Sequence, residues 1–473
     1  MRSRIKNPLT EPTGDPFADV GGYVIKALWE EPRYRDKSIL ELIEYITNVY
    51  ISQWNSNLHA FFLNSKITQP AFDSQRKLQE TMAYYRSLVD ETAPYKEGHC
   101  RISGRKTKLF AAGRDNHILS GSSTFVNFHH GFESGLYLSK EVIIRFFFVP
   151  FGCMQLGDKL AIIGSNNTVV ADYFVQQILF SPDGPLNSIG RNMGGGVAKS
   201  MHGIPANALF AFADSCIKDI PTATYSEDNV VSARDTSLSF YHFTNFGAKP
   251  EIVLYQLPGS IFKFYAFCQT PTVREAWRQF LSTNYRNSKV KNPRYDLQSG
   301  TLITDKETIE ADTFSTWRND ILIRLLDGRS LVSFFRKWAR KHSFPFIIVE
   351  KYLLLAKNMD KQTTRKIREI ANFIAESGED GIKRGILRLN RAQYSYQVRQ
   401  FLLKLIDENY KANGEKPLLR LEEVEYLFPD TAGWREIRDL ILIAIYEKVH
   451  DMRLTVDTGF EEQESEPSNE EVE

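Results

Sequence analysis

Apolar residues near the start of the chain recur every three or four positions. In Lys37–Trp54 this places Ile39, Leu40, Ile43, Ile46, Thr47 and Tyr50 on one face, and in Ala71–Thr92 it aligns Leu78, Met82, Tyr85 and Leu88. Both stretches predict amphipathic helices, and residues 1–95 read mainly as helix. From about Cys100 to Pro150 the period is lost. Short runs of Phe, Val and Ile are punctuated by Gly, Ser, Asn and Asp, which predicts strands and turns. Residues 157–300 are mixed. Leu160–Ile163 reads as a buried strand and Ala171–Phe180 as a helix. Leu238–Phe243 and Glu251–Gln256 read as strands around the turn Gly247–Pro250, and Pro271–Ser282 as a helix opening on proline.

From about Asp312 the pattern is helical, with candidates at Thr313–Leu326, Ser330–His342, Phe346–Asn358, Lys361–Ser377, Arg391–Tyr410 and Trp434–Met452. Breaks fall at Gly328, Pro345, Gly378, Gly414 and Pro417. Short connections make neighbouring helices antiparallel, so a bundle is expected. The expected class is α+β: a mixed lobe over residues 1–300, an all-α helical bundle over 301–458 and an acidic disordered tail over 459–473. No internal repeat emerges.

A length of 473 residues allows two to four domains, and 42% hydrophobic with 25% charged residues is ordinary for a globular chain. Cys100, Cys153, Cys216 and Cys268 are widely spaced and form no CxxC pair, which points to a reducing compartment. The opening MRSRIKNPLTEPTGDPF has no apolar run behind its basic residues, so it does not read as a signal peptide. The most apolar stretch, Val142–Phe151, is interrupted by Arg145 and Pro150 and is too short to span a bilayer. A soluble, cytoplasmic protein is expected, with no membrane partner.

The net charge of +1 hides an uneven distribution. Arg324–Arg420 holds 21 lysines and arginines against 10 acidic residues, an excess of 11, whereas Glu461–Glu473 holds seven glutamates and no cation. In Ser330–His342 an apolar stripe of Leu331, Phe334, Phe335 and Trp338 leaves Arg336, Lys337, Arg340 and Lys341 on the other side. Lys361, Arg365 and Arg368 share a face, as do Arg384, Arg388 and Arg391 if helix continues there. Cationic faces attract a phosphate backbone and gain affinity by releasing its counterions. Tyr394 and Tyr396 are close enough in sequence to stack on unpaired bases. A solvated surface is the plainer reading of any one basic helix. Several in one bundle bring nucleic acid into consideration, with Arg336, Lys337, Arg340, Lys341, Arg365, Arg368, Arg384, Arg388 and Arg391 as candidate contacts.

A second signal is the glycine-rich segment Ser188–Ser200. Glycines let backbone amides approach a phosphate, Arg191 and Lys199 add charge, and Arg191 and Asn192 can read base edges, so a loop touching nucleic acid stands beside the plainer reading of a surface loop. It is no Walker A loop, because Ala198 stands where glycine must precede the lysine. Lys289, Lys291 and Arg294, with Arg286, form a further basic loop. His99, Cys100, His117, His129 and His130 match no common zinc spacing, and Glu133 lacks an HExxH frame, so structural histidines are expected. Asp15 and Asp19 suit turn and cap roles. With no nucleophile elbow, kinase loop or catalytic dyad, the reading is non-enzymatic, with no cofactor and no metal.

Three segments carry a resemblance: Thr13-Gly-Asp-Pro-Phe-Ala-Asp-Val-Gly21; Gly113-Arg-Asp-Asn116 followed by Ser120-Gly-Ser122 and Phe125-Val-Asn-Phe128; and Tyr241-His-Phe-Thr-Asn-Phe-Gly247 followed by Glu251–Pro258. In this order, and with a helical second half, the chain resembles the large subunit of type I-B CRISPR surveillance complexes (Cascade). The resemblance implies a subunit near the guide RNA handle that checks the protospacer-adjacent motif in double-stranded target DNA and helps open it. Pairing with the guide reads the remaining sequence. It implies backbone, handle-binding and small subunits as partners, with a C-terminal region like the small subunit that would place the cationic candidates of the bundle along a displaced single strand.

One departure stands out. Many relatives carry paired zinc-binding cysteines in the segments corresponding to Cys100–Ser103 and Leu138–Glu141, and here only Cys100 remains. Phe110, Phe125, Phe128, Phe146, Phe147 and Phe148 are the expected replacement for the metal as packing. An alternative reading is an adaptor that recruits a downstream effector, either a helicase–nuclease or transposition proteins. A hydrolase built on His129, His130 and Glu133 ranks below both.

Overall fold

The computed structural model describes residues 7–120, 136–181, 184–186, 196–220, 236–244, 250–291, 293–413, 417–428 and 433–454. The fold is α+β, as expected. Two compact units divide the chain: Met1–Ala266 with Tyr285–Leu326, and Phe267–Asn284 with Asp327–Glu473. The first unit thus runs past the expected boundary at residue 300.

The first unit opens with α1 (Pro16–Glu30), α2 (Ile39–Val49) and α3 (Ser74–Val89). The opening motif is explained by packing. Gly14 takes a φ of +89°, which glycine tolerates. Asp15 caps α1 by accepting from the Ala18 N–H at 2.7 Å, Pro16 occupies the first turn, and Phe17 packs edge-on against Phe243. Asp19 accepts from the Thr13 N–H (2.6 Å), the Thr13 hydroxyl (2.7 Å) and the Gly14 N–H (2.9 Å). Asp15 and Asp19 therefore hold the turn and cap roles read for them.

A three-stranded sheet comes next, β1 (Tyr95–His99), β2 (Lys106–Ala112) and β3 (Leu136–Leu138), all antiparallel. It leads into α4 (Lys140–Phe148), where strands and turns were expected. Every side chain from Val142 to Phe148 is buried, so the helix has no polar face and shows no period to read. Its one charged core residue, Arg145, is 1% exposed; it donates to the carbonyls of Pro8 (2.6 Å) and Glu11 and to Asp19 (3.3 Å). Helix α1 crosses α4 at Gly21, where an added Cβ would lie 2.0 Å from the Arg145 carbonyl oxygen.

The larger sheet has the order β6-β4-β5-β7-β8, from β4 (Met154–Leu156), β5 (Lys159–Ser165), β6 (Ala198–Lys199), β7 (Leu238–Thr244) and β8 (Glu251–Leu257). Among the described residues of this sheet, β4 and β6 run parallel and the other neighbours antiparallel. Helices α5 (Thr168–Leu179), α6 (Pro205–Asp219) and α7 (Gly259–Cys268) accompany it, and α8 (Arg274–Ser282) lies in the second unit. The first unit ends with β9 (Tyr285–Arg286), β10 (Arg294–Tyr295), β11 (Leu302–Ile303), β12 (Thr308–Ile309), α9 (Ala311–Phe314), β13 (Arg318–Asn319) and α10 (Asp320–Leu326). The single helix expected over Thr313–Leu326 is broken by β13, which pairs with β9. Buried Asn319 caps α10, its Oδ1 accepting from the N–H of Ile321 and Leu322.

The second unit adds α11 (Val332–Lys341), α12 (Phe346–Leu355), α13 (Lys361–Glu376), α14 (Gly378–Arg391), α15 (Ser395–Asn413), α16 (Leu421–Leu427) and α17 (Trp434–Asp451). Helix α14 is a separate element beyond those read from the pattern. Gly378, at φ +74°, ends α13 and opens α14 in one residue, so the two helices share a corner. Helix α17 is buried almost all round and is the axis on which α11, α12, α13, α14 and α15 pack. Phe280 of α8 adds aromatic contacts with Phe335 (5.1 Å) and Phe344 (5.5 Å).

Candidate nucleic-acid interface

Burial sorts the basic residues of the second unit into two groups. Arg336 was expected to point away from the bundle, but α17 passes on that side. Its Nη1 donates to Asp439 Oδ1 at 2.9 Å, and Arg438 donates to the same oxygen at 2.8 Å. Arg368 makes two parallel bonds to Glu350 (2.9 and 2.8 Å) and lies over the Phe346 ring. Both of these strand-binding candidates are half-buried and ion-paired within their unit. Lys366, absent from the sequence-derived set, bridges Glu369 (2.6 Å) and Glu423 (2.9 Å).

The open cations are fewer. Lys337, Lys341 and Lys361 are exposed, and Arg340 is half-buried. Arg365 is 82% exposed despite its pairing with Glu369, and surface pairs of this kind hold a side chain weakly. Arg384 and Arg388 lie one turn apart on α14, exposed and without an acidic partner within 4 Å among the described residues. They border a groove between α14 and α15, with Lys404 on the other wall; Lys404 sits 3.8 Å from Glu408. Gly385 lets α14 pack closely on α13, since a Cβ there would meet Ile374 at 3.0 Å. Arg391 continues the exposed row at the helix end.

Beyond Arg391 the chain turns sharply, and Gln397 Oε1 accepts from the N–H groups of Gln393 (2.7 Å) and Tyr394 (3.1 Å). This turn holds Tyr394 and Tyr396 nearly parallel, ring centroids 5.9 Å apart at 14°, with both rings more than half exposed. On α15 the seven-residue spacing of Tyr396, Leu403 and Tyr410 forms an exposed stripe. Sequence reading missed the last two, though their spacing was its available signal. Cations for phosphates beside open rings for bases are what a sequence-tolerant single-strand surface needs.

In the first unit, Arg191 and Asn192 lie outside the described residues. Lys199 is exposed in β6, and Lys289, Lys291 and Arg294 are exposed between β9 and the start of β10. Arg318, missed from sequence, is the register partner of Arg286 and pairs with Asp320 at 3.1 Å, so it widens this basic region.

The histidines divide similarly. His117 is buried against Ser120 (2.8 Å) and Phe146, as a structural histidine, while His129, His130 and Glu133 lie outside the described residues. The Cys100 sulfur accepts from the N–H of Ser139 (3.4 Å) and of Ser103 (3.5 Å). Burial raises its pKa, but the Ser103 side chain and the backbone N–H groups of Ser103, Ser139 and Ile102 together outweigh burial and leave it below the ordinary thiol value. The segments Cys100–Ser103 and Leu138–Glu141 thus meet around one sulfur, and among the described residues no donor set there fits four-coordinate zinc. Phe110, Phe146, Phe147 and Phe148 are buried, and Phe125 and Phe128 lie outside the described residues.

A family model described as the DevT C-terminal domain matches residues 337–472, under a third of the chain. The match begins within α11 and takes in α12 through α17, all in the second unit. No curated protein matches the chain. Among the described residues, no helix is long and apolar enough to cross a membrane.

Proposed function

We propose that this chain is a non-catalytic large subunit of an RNA-guided DNA surveillance complex of the type I-B kind, working in the cytoplasm. Its second unit holds the displaced strand, and its first unit contacts the guide handle, the target duplex and neighbouring subunits. One observation carries the reading: the exposed row Arg384, Arg388 and Arg391 leads to the exposed Tyr394–Tyr396 pair, with Lys404 across the groove. The resemblance of the opening and central motifs supports the RNA-guided setting. Recognition of the adjacent motif falls to Lys199, Lys289, Lys291 and Arg294, with Arg191 and Asn192 as further candidates.

The test is purification of the tagged full chain from its native cell, with sequencing of bound RNA and identification of bound proteins. The expected result is a set of short RNAs sharing one handle sequence, together with backbone subunits. A chain that emerges free of RNA and of such partners would refute the assignment.

A further inference from the structure

The exposed lysines of α11 lie close to where α17 ends. His450 Nε2 is 2.9 Å from the Ala339 carbonyl oxygen, so the end of α17 lies against the last turn of α11. Arg453, at φ +52°, and a bond from Leu454 N–H to the Val449 carbonyl (3.0 Å) stop the helix there. Exposed Lys337 and Lys341 stand on that part of α11 and have no acidic partner within 4 Å among the described residues. Six residues further on begins Glu461–Glu473, with seven glutamates and no cation. An extended chain covers about 3.3–3.6 Å per residue, so six residues reach roughly 20 Å. Helix α11, with ten residues, is only about 15 Å long.

We propose that the acidic stretch Glu461–Glu473 docks on the exposed cationic surface of its own unit, centred on Lys337 and Lys341, and acts there as a tethered competitor of polyanions. A short tether keeps the local concentration of carboxylates in the millimolar range, so weak individual pairs suffice. The competitive half of the idea rests on the proposed strand-binding role of this unit; the docking half does not. A strand with many phosphates and stacked bases would displace the stretch, whereas a brief contact with unrelated nucleic acid would not.

The test uses the full chain, a form ending after Leu454, and a full-length form with the seven glutamates of 461–473 changed to glutamine. Zero-length carbodiimide coupling with peptide mapping reads docking. Anisotropy of a labelled single-stranded oligonucleotide reads competition. The expected result is amide links from the acidic stretch to Lys337 or Lys341, lost at high salt. Both altered forms should also bind the oligonucleotide more tightly at low salt, by about tenfold if the stretch covers the surface about nine-tenths of the time. Links without measurable binding by any form would uphold docking and refute the strand-binding role. Equal affinity of three binding-competent forms would overturn the inference. So would tighter binding of the altered forms without links to these lysines, since general repulsion would then explain it.

Discussion

Asp439 sits between two guanidinium groups, and Asp439→Asn removes their shared negative charge with little change of shape. Its side chain is 12% exposed, that of Arg336 21% and that of Arg438 14%. Removing one partner of a buried ion pair costs about 3–5 kcal/mol, and the residual exposure of both arginines puts this case near 3. At ~2–4 °C per kcal/mol for a unit of this size, the melting transition of the second unit should fall by about 6–12 °C. Circular dichroism of the full chain through a thermal ramp measures this. Oligonucleotide anisotropy well below the transition should show a Kd within about twofold of the parent, because both arginines are engaged with Asp439 and lie outside the exposed row of α14, and twofold is under 0.5 kcal/mol. Two results would refute the reasoning. One is an unchanged melting transition. The other is a variant that melts normally but binds about tenfold more weakly, which would return Arg336 to the strand contacts.

Three further outcomes rest on the geometry. Tyr394→Ala and Tyr396→Ala should each weaken single-strand binding by about 1–3 kcal/mol, read by anisotropy, and leave duplex binding unchanged. Gly21→Ala forces a Cβ against the Arg145 carbonyl and should destabilise the first unit by about 3 kcal/mol, read as an earlier urea midpoint. His342 stacks on Trp338 at 3.8 Å; burial first, then the charges of His450 and Lys341, hold its pKa below the usual 6.5. The unfolded chain therefore takes up the proton first, so stability should decline as pH falls below about 6.5, and His342→Gln should flatten that decline in thermal melts.

Periodic segments with one wet face were legible in the sequence. The helical period of α13 emerged from spacing alone, and so did the roles of Asp15 and Asp19. The turn holding Tyr394 and Tyr396 lay at a predicted helix start. What stayed hidden depended on distant partners or on burial from every side. Nothing near Arg336 signals Asp439, 103 residues further on, and nothing near Arg368 marks Glu350 as its partner rather than solvent. Helix α4 escaped because Val142–Phe148 is buried on all faces, and β13 escaped because a two-residue strand makes no pattern. The same limit explains Lys366, whose lysine type suggests solvent while its position joins two glutamates.

The salt dependence of single-strand binding tests the central claim most directly. Charge reversal at Arg384, Arg388 and Lys404 together should lower the slope of log K against log salt by about 2, at roughly 0.7 per lost phosphate contact, with circular dichroism unchanged. An identical slope in a folded triple variant would contradict the account, because the groove between α14 and α15 would then carry no strand.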